Sequence, residues 1–257
     1  MSARELVAAD APVACVAIPA RNERERIGAC IEALAAQRAP GPIEAVLVLD
    51  ACSDDTGPVA SAAAARHGLR LHVQEGPGAG SGPARRIAMD AAAQRLHEAG
   101  VPHGLLATTD ADSRVAPDWI ARQLVHLARG AGAVAGRIEL DPVEAGLLPG
   151  HVLTQRAALA EKRLERVRRR DPQAQHHHFG GASIGLAAST YARVGGLEPR
   201  DALEDDAFAE RLLRHRIAIA RVDDVRVVTS ARTHGRATRG LAIDLAALCA
   251  REQAGRV

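Results

Sequence analysis

The chain has 257 residues, 47% apolar and 25% charged, with a formal charge of +2 and aromatics at only 2%. That length buries a core without staples and suits one large domain. A balanced charge and scarce rings exclude a nucleic-acid surface built on a basic field and stacking aromatics, so no nucleic-acid partner is expected.

Val13–Ala20 is a nearly continuous apolar run, VACVAIPA, the pattern of a strand buried on both faces. A helix follows over 25–37, with Ile27, Cys30, Ile31 and Leu34 on one face, until Pro40-Gly41-Pro42 breaks it. The second strand is Ile43–Asp50; Asp54 or Asp55 caps a helix reaching His67, and a third strand ends at Glu75. The glycine-rich loop GPGAGSGPAR, 76–85, feeds a helix to about Ala99, and a fourth strand ends at Asp110. A helix over 118–129, a strand over 133–139 and a long helix over 152–170 come next. This alternation predicts an α/β fold with a mostly parallel sheet and helices on both faces. The rest is less regular: a His-rich loop, a glycine patch, the acidic segment LEDDAFAERL and a strand RVDDVRVVTSAR.

In an open parallel sheet, ligands gather at the carboxyl ends of the strands. Those ends here carry Arg21-Asn22-Glu23, Asp50-Ala51-Cys52-Ser53 and Asp110-Ala111-Asp112. Two carboxylates one residue apart at a strand end suit Mg²⁺ or Mn²⁺ bridged to a diphosphate. The plainer alternative is a turn whose acids cap a helix. Asp50 likewise either faces a ligand or opens a turn. Glu204, Asp205 and Asp206 suit a charged helix start favoured by the helix dipole.

Six strings together resemble family 2 glycosyltransferases of the GT-A fold, in that family's order over roughly residues 12–240: IPARNE, VLVLDACSDDT, GAGSGPARRIAM, TTDAD, GGASIGLAASTYARVGGL and LEDDAFAERL. The resemblance implies one GT-A, Rossmann-like domain over 1–257 with a smaller acceptor-side subregion. About 12–115 would bind the nucleotide sugar and about 116–250 the acceptor. It implies a hexosyltransferase using a UDP- or GDP-sugar, Mg²⁺ or Mn²⁺, and a small-molecule or lipid-like acceptor. By the same resemblance, the backbone of Pro19 and Ala20, with Glu23, contacts the nucleoside, and Asp50 holds base or ribose. Arg85 and the amides of Gly78 and Gly80 lie near the nucleotide or its diphosphate. Asp110 approaches ribose or metal, Asp112 binds the metal, and Asp205 is the general base of inverting transfer. His234 is a further metal ligand, as a C-terminal His is in some related enzymes, or else an exposed loop residue beside Arg232 and Arg236, which themselves suit a diphosphate. A retaining branch shares the opening motif and the C-terminal His, so the stereochemistry stays open.

Ala51 stands where the family carries Asp or Asn, Arg86 where Asn is common, and Ala187 or Ala188 near its acceptor-side Arg. No QxxRW motif is present, which argues against processive synthesis. The alternatives are a sugar-phosphate nucleotidyltransferase, which the PARNE first loop disfavours, and a nucleotide-binding protein without turnover. His176–His178 read as a flexible loop or a metal-binding run, with His178 nearest the acceptor. The basic helix over 152–170, with Leu153, Ala157, Ala160, Leu164 and Val167 in a stripe, suits packing on the core or peripheral contact with an anionic membrane. Four cysteines without a CxxC pair fit free thiols in a reducing compartment. No apolar run nears the roughly 20 residues that span a bilayer, and the first residues do not read as a signal peptide. A cytoplasmic protein is expected, and a homo-oligomer is compatible with the sequence.

Overall fold

A computed structural model describes residues 11–198, 200, 204–235 and 240–254. It opens with the expected alternation: β1 (Ala14–Ala20), α1 (Ile27–Ala35), β2 (Ile43–Leu49), α2 (Thr56–His67), β3 (Arg70–Glu75), α3 (Ser81–Glu98) and β4 (Leu105–Thr108). Then come β5 (Ser113–Val115), α4 (Trp119–Ala128), β6 (Ala133–Leu140), the short α5 (Pro142–Ala145) and the long α6 (Gly150–Arg168). The last third holds β7 (Ile184–Ala187), α7 (Ala188–Arg193), α8 (Glu204–Arg214), β8 (Ile219–Thr229) and α9 (Leu241–Ala254).

The strands form one sheet in the order β3-β2-β1-β4-β7-β6-β8-β5. β1 to β4 are mutually parallel, as are β6 and β8. β7 runs antiparallel between β4 and β6, and β5 antiparallel beside β8. β5 and β7 were not anticipated, because three and four residues are too few to display a hydrophobic period.

β1 is wholly buried because its alternate residues serve two cores. Val16 and Ile18 pack with Ile27, Leu47 and Trp119 on one face. Cys15 and Ala17 pack with Met89, Leu106 and Phe208 on the other. Burial pushes the Cys15 thiol up to about 12, so it stays protonated as a small apolar filler. Among the described residues, no helix is long and apolar enough to cross a membrane.

Two local features shape the site. α6 has a single buried residue, Val152, which meets Leu245 and Leu248 of α9. Of the expected stripe, Ala160, Leu164 and Val167 are half-buried while Leu153 and Ala157 are exposed; Leu153 and the neighbouring Leu159 are 38% and 40% exposed. Gly82, in the first turn of α3, lies against Arg200, and an added Cβ would overlap the Arg200 carbonyl oxygen. Gly82→Ala gains about 1 kcal/mol of helix propensity, but a clash with backbone cannot be relieved by a rotamer change. A net loss of about 2 kcal/mol is expected. A urea unfolding midpoint unchanged or raised by the substitution would show that the 200 region yields.

Candidate active site

The loops after β1, β2 and β4 meet at the carboxyl ends of the parallel strands, where they line a cleft of about 370 Å³ with the start of α3, residues 180–182, the start of α8 and the segment after β8. Pro19, Ala20, Glu23, Asp50, Gly80, Arg85, Asp110, Asp112 and Asp205 all lie on its wall. Gly78 and His234 do not.

The first two loops are built as one unit. The Asn22 side-chain oxygen accepts from the Ser53 amide at 2.7 Å, and the Glu23 amide donates to the Thr56 hydroxyl at 2.7 Å. That hydroxyl donates in turn to Asp54 at 2.5 Å. Asn22 and Ala51 sit at φ 54° and 52°, a left-handed region that Asn and Asp enter most readily. At position 51 the chain therefore keeps the backbone of an Asx residue without its polar group.

Asp50 is 2% exposed, and a buried carboxylate needs donors. It takes them from the glycine loop: Gly78 N donates to Oδ1 at 2.7 Å and Gly80 N to Oδ2 at 2.9 Å. The two amides expected to face a phosphate are thus committed to Asp50. Gly78 and Gly80, at φ 72° and 102°, give the loop the turn that closes around that carboxylate.

Arg85 is the hub of the cleft floor. It donates to Asp110 Oδ1 at 2.7 Å, Glu204 Oε1 at 3.2 Å, the Thr108 hydroxyl at 2.9 Å and the Gly181 carbonyl at 3.0 Å. Burial works against its charge, but Asp110 and Glu204 outweigh burial and hold its pKa above the ordinary value. Gly181 lacks a side chain where any Cβ would overlap the guanidinium. Arg85 therefore ties α3, β4, the glycine patch and the start of α8 together.

Arg232 is the second hub. It forks onto Glu23 at 2.9 and 2.7 Å and pairs with Asp112 Oδ2 at 2.9 Å. Burial, then Asp110, pushes the Asp112 carboxyl up to about 6, with Arg232 opposing. His234 is exposed, and among the described residues its ring meets only the Thr233 hydroxyl, at 3.3 Å. The chain bends at Thr233, and it is Arg232 that reaches Asp112, while His234 lies exposed, as its alternative reading as a loop residue has it. Arg236 lies outside the described residues.

Asp205 lies in the first turn of α8, accepts from the Asp206 amide at 2.9 Å and is pushed up to about 6 by burial, then by Glu204, against the pull of Arg85. It also lines a second cavity of about 790 Å³ between α6, α8, α9 and residues 177–180. Ile138, Gly180, Asp205 and Leu241 belong to both walls. The histidine run is ordered by backbone bonds: His176 Nε2 meets the Val222 carbonyl at 3.1 Å, and its Nδ1 accepts from the His178 amide at 3.1 Å. Among the described residues, no three His, Cys, Asp or Glu side chains converge as a metal cluster. Sequence reading missed that Glu204 partners Arg85 and that Arg232 clamps Glu23 to Asp112; no local pattern signals either pairing.

Residues 15–188 match the family model described as Glycosyl transferase family 2. The chain belongs to glycosyltransferase family 2. Its mostly parallel sheet flanked by helices is the GT-A fold. No curated protein matches the chain. Among solved structures it is similar to the mannosyltransferase PcManGT from Pyrobaculum calidifontis in complex with GDP-Man and Mn²⁺, at TM-score 0.62 and 21% identity, covering 90% of this chain and 61% of that one. It is similar to S. aureus TarS 1-349 in complex with UDP-GlcNAc, at TM-score 0.62 and 15% identity, covering 93% and 66%. Glucosyl-3-phosphoglycerate synthase from Mycobacterium tuberculosis, in complex with Mn²⁺, UDP-Glc and phosphoglyceric acid, is similar at TM-score 0.56 and 17% identity, covering 97% and 84%. At these identities the likeness is one of fold. The chain spans less than two thirds of the first two structures' lengths.

Proposed function

We propose that this glycosyltransferase moves a sugar from a UDP- or GDP-sugar to a hydroxyl of a small or lipid-like acceptor, inverting the anomeric carbon with Asp205 as general base. The observation that carries this reading is the place of Asp205, on the wall common to the two cavities. A base there lies between a donor in the first and an acceptor in the second. Residues 12–115 serve the donor and 116–250 the acceptor. Three of the similar structures hold a nucleotide sugar, and two of those also hold Mn²⁺, which supports a nucleotide-sugar donor here.

Pro19, Ala20 and Glu23 border the nucleoside, while Asp50 fixes the glycine loop beside it. Asp205 takes the proton of the acceptor hydroxyl as that oxygen bonds to the anomeric carbon. The bond from that carbon to the diphosphate oxygen breaks, and the nucleoside diphosphate leaves. Asp112, which pairs with Arg232, is the carboxylate that would hold a divalent cation beside the donor diphosphate. Asp110 is held by Arg85, and no larger acidic or histidine cluster stands among the described residues. When bound, such a cation would offset the charge that grows on the leaving diphosphate. Arg232, whose fork is taken up by Glu23 and Asp112, holds those two carboxylates in place beside the diphosphate.

Released products test this reading. A nucleoside diphosphate from a UDP- or GDP-sugar, with an inverted anomer in the product, is expected. Pyrophosphate from a nucleoside triphosphate and a sugar phosphate would move the assignment to a nucleotidyltransferase. The base also sets a pH profile. Asp205, raised to about 6, accepts a proton only when ionised, so kcat/KM, which reports the free enzyme, falls about tenfold per unit below pH 6 as this group protonates. A profile without that acid limb would remove Asp205 from the proton transfer.

A further inference from the structure

We infer that the second cavity binds an anionic group of the acceptor, a phosphate or phosphate ester, and so selects a phosphorylated acceptor; this rests on the reading of Asp205 as the base. The cavity wall carries Arg156, Arg163, Arg166 and Arg221, against Asp206, Asp244 and Asp205 itself. Two of the four guanidinium groups have partners: Arg221 meets Asp171 at 3.3 Å and Arg163 meets Asp244 at 3.7 Å. Arg156 and Arg166 have no hydrogen bond or ion pair among the described residues. Arg156 is also half-buried.

A guanidinium withdrawn from water without a carboxylate is costly unless a ligand supplies one. The local field shows the deficit. Burial, then Arg163, draws the Arg156 pKa below its ordinary value, and the same two causes lower His177 to about 4. The planar forks of arginine match phosphate oxygens. Leu159, Val167, Leu245 and Leu248 supply apolar wall beside them. An acceptor lying along this cavity places its hydroxyl at Asp205 and its anion among the α6 arginines. The anion belongs to a free phosphorylated molecule or to a lipid phosphate whose chain lies on the exposed Leu153 and Leu159 of α6.

The test titrates the full chain with glycerol 3-phosphate, with inorganic phosphate, and with glycerol as the neutral control. A parallel arm sediments it with phosphatidylglycerol or phosphatidylcholine vesicles. Binding of the charged ligands at least tenfold tighter than glycerol is expected, surviving saturating UDP or GDP. Arg156→Gln and Arg166→Gln each weaken it about tenfold, a loss of about 1.4 kcal/mol, and Arg156→Lys restores part of it. Binding of phosphatidylglycerol vesicles alone, lost in the same variants, also supports the anion site and names the lipid as its source. No preference for charge in either arm, binding untouched by Arg156→Gln, or displacement by UDP or GDP would overturn the inference. The donor reading is judged separately, by nucleotide binding to the same variants, which both substitutions leave unchanged.

Discussion

Asp205→Asn is expected to lower sugar transfer about a thousand-fold while donor binding persists and the fold becomes more stable. The amide keeps the shape of the side chain but cannot take the acceptor proton. The stability gain follows from the sign of the pKa shift. A carboxyl raised from 3.8 to about 6 holds protons more tightly folded than unfolded. Its ionisation therefore weakens the fold as pH rises through that window, and the weakening is complete above pH 6. Removing the charge at pH 8 recovers on the order of 1–2 kcal/mol, less than the full shift implies because solvent reaches the carboxylate. Nucleoside diphosphate release with acceptor present, and thermal unfolding at pH 8, check the two halves. Transfer within a few-fold of the parent would mean that another group is the base. Loss of both activity and stability would mean that the carboxylate is structural.

Arg85→Met is expected to be the most destabilising change in the cleft. The methionine fills the channel but leaves Asp110 and Glu204, previously held at 2.7 and 3.2 Å, without their counter-charge. Breaking one side of such a buried pair costs about 3–5 kcal/mol. Adding Glu204→Gln to Arg85→Met removes one orphaned charge, and more than 1 kcal/mol should return, because contacting residues couple. Chemical denaturation of the two variants and the parent measures this. A single-variant loss under 1 kcal/mol would show that the freed carboxylates rehydrate through the cleft, making Arg85 a ligand-facing group rather than a structural hub.

The first half of the fold was legible because β1, β2 and β4 are buried on both faces, β3 is an edge strand bounded by turn signals, and α1 keeps one apolar face. Ile27, Cys30, Ile31 and Leu34 are buried together, as their spacing predicted. β5 and β7 were not legible, because they are strands only through their neighbours. The carboxylates of the site were readable as strand-end residues, but what holds them was not. Arg85 and Glu204 lie 119 residues apart, and Arg232 and Glu23 lie 209 apart. Pairings at that range leave no periodicity. The glycine loop was recognised by composition, yet the direction of its amides depended on Asp50, buried beneath it. Arg232 and His234 are two residues apart, a spacing that does not reveal which side chain meets Asp112.

The most direct test of the donor cleft is thermal unfolding with UDP and with GDP, each with and without Mn²⁺. A ligand that binds only the folded chain, at a hundred times its Kd, adds about 2.7 kcal/mol. For a chain of this size that is a rise of roughly 5–10 °C. One of the two diphosphates should produce this rise, more strongly with Mn²⁺, and Asp112→Asn should remove the Mn²⁺ increment alone. No rise with either nucleotide, with or without the cation, would contradict the assignment of this cleft to a nucleoside diphosphate sugar.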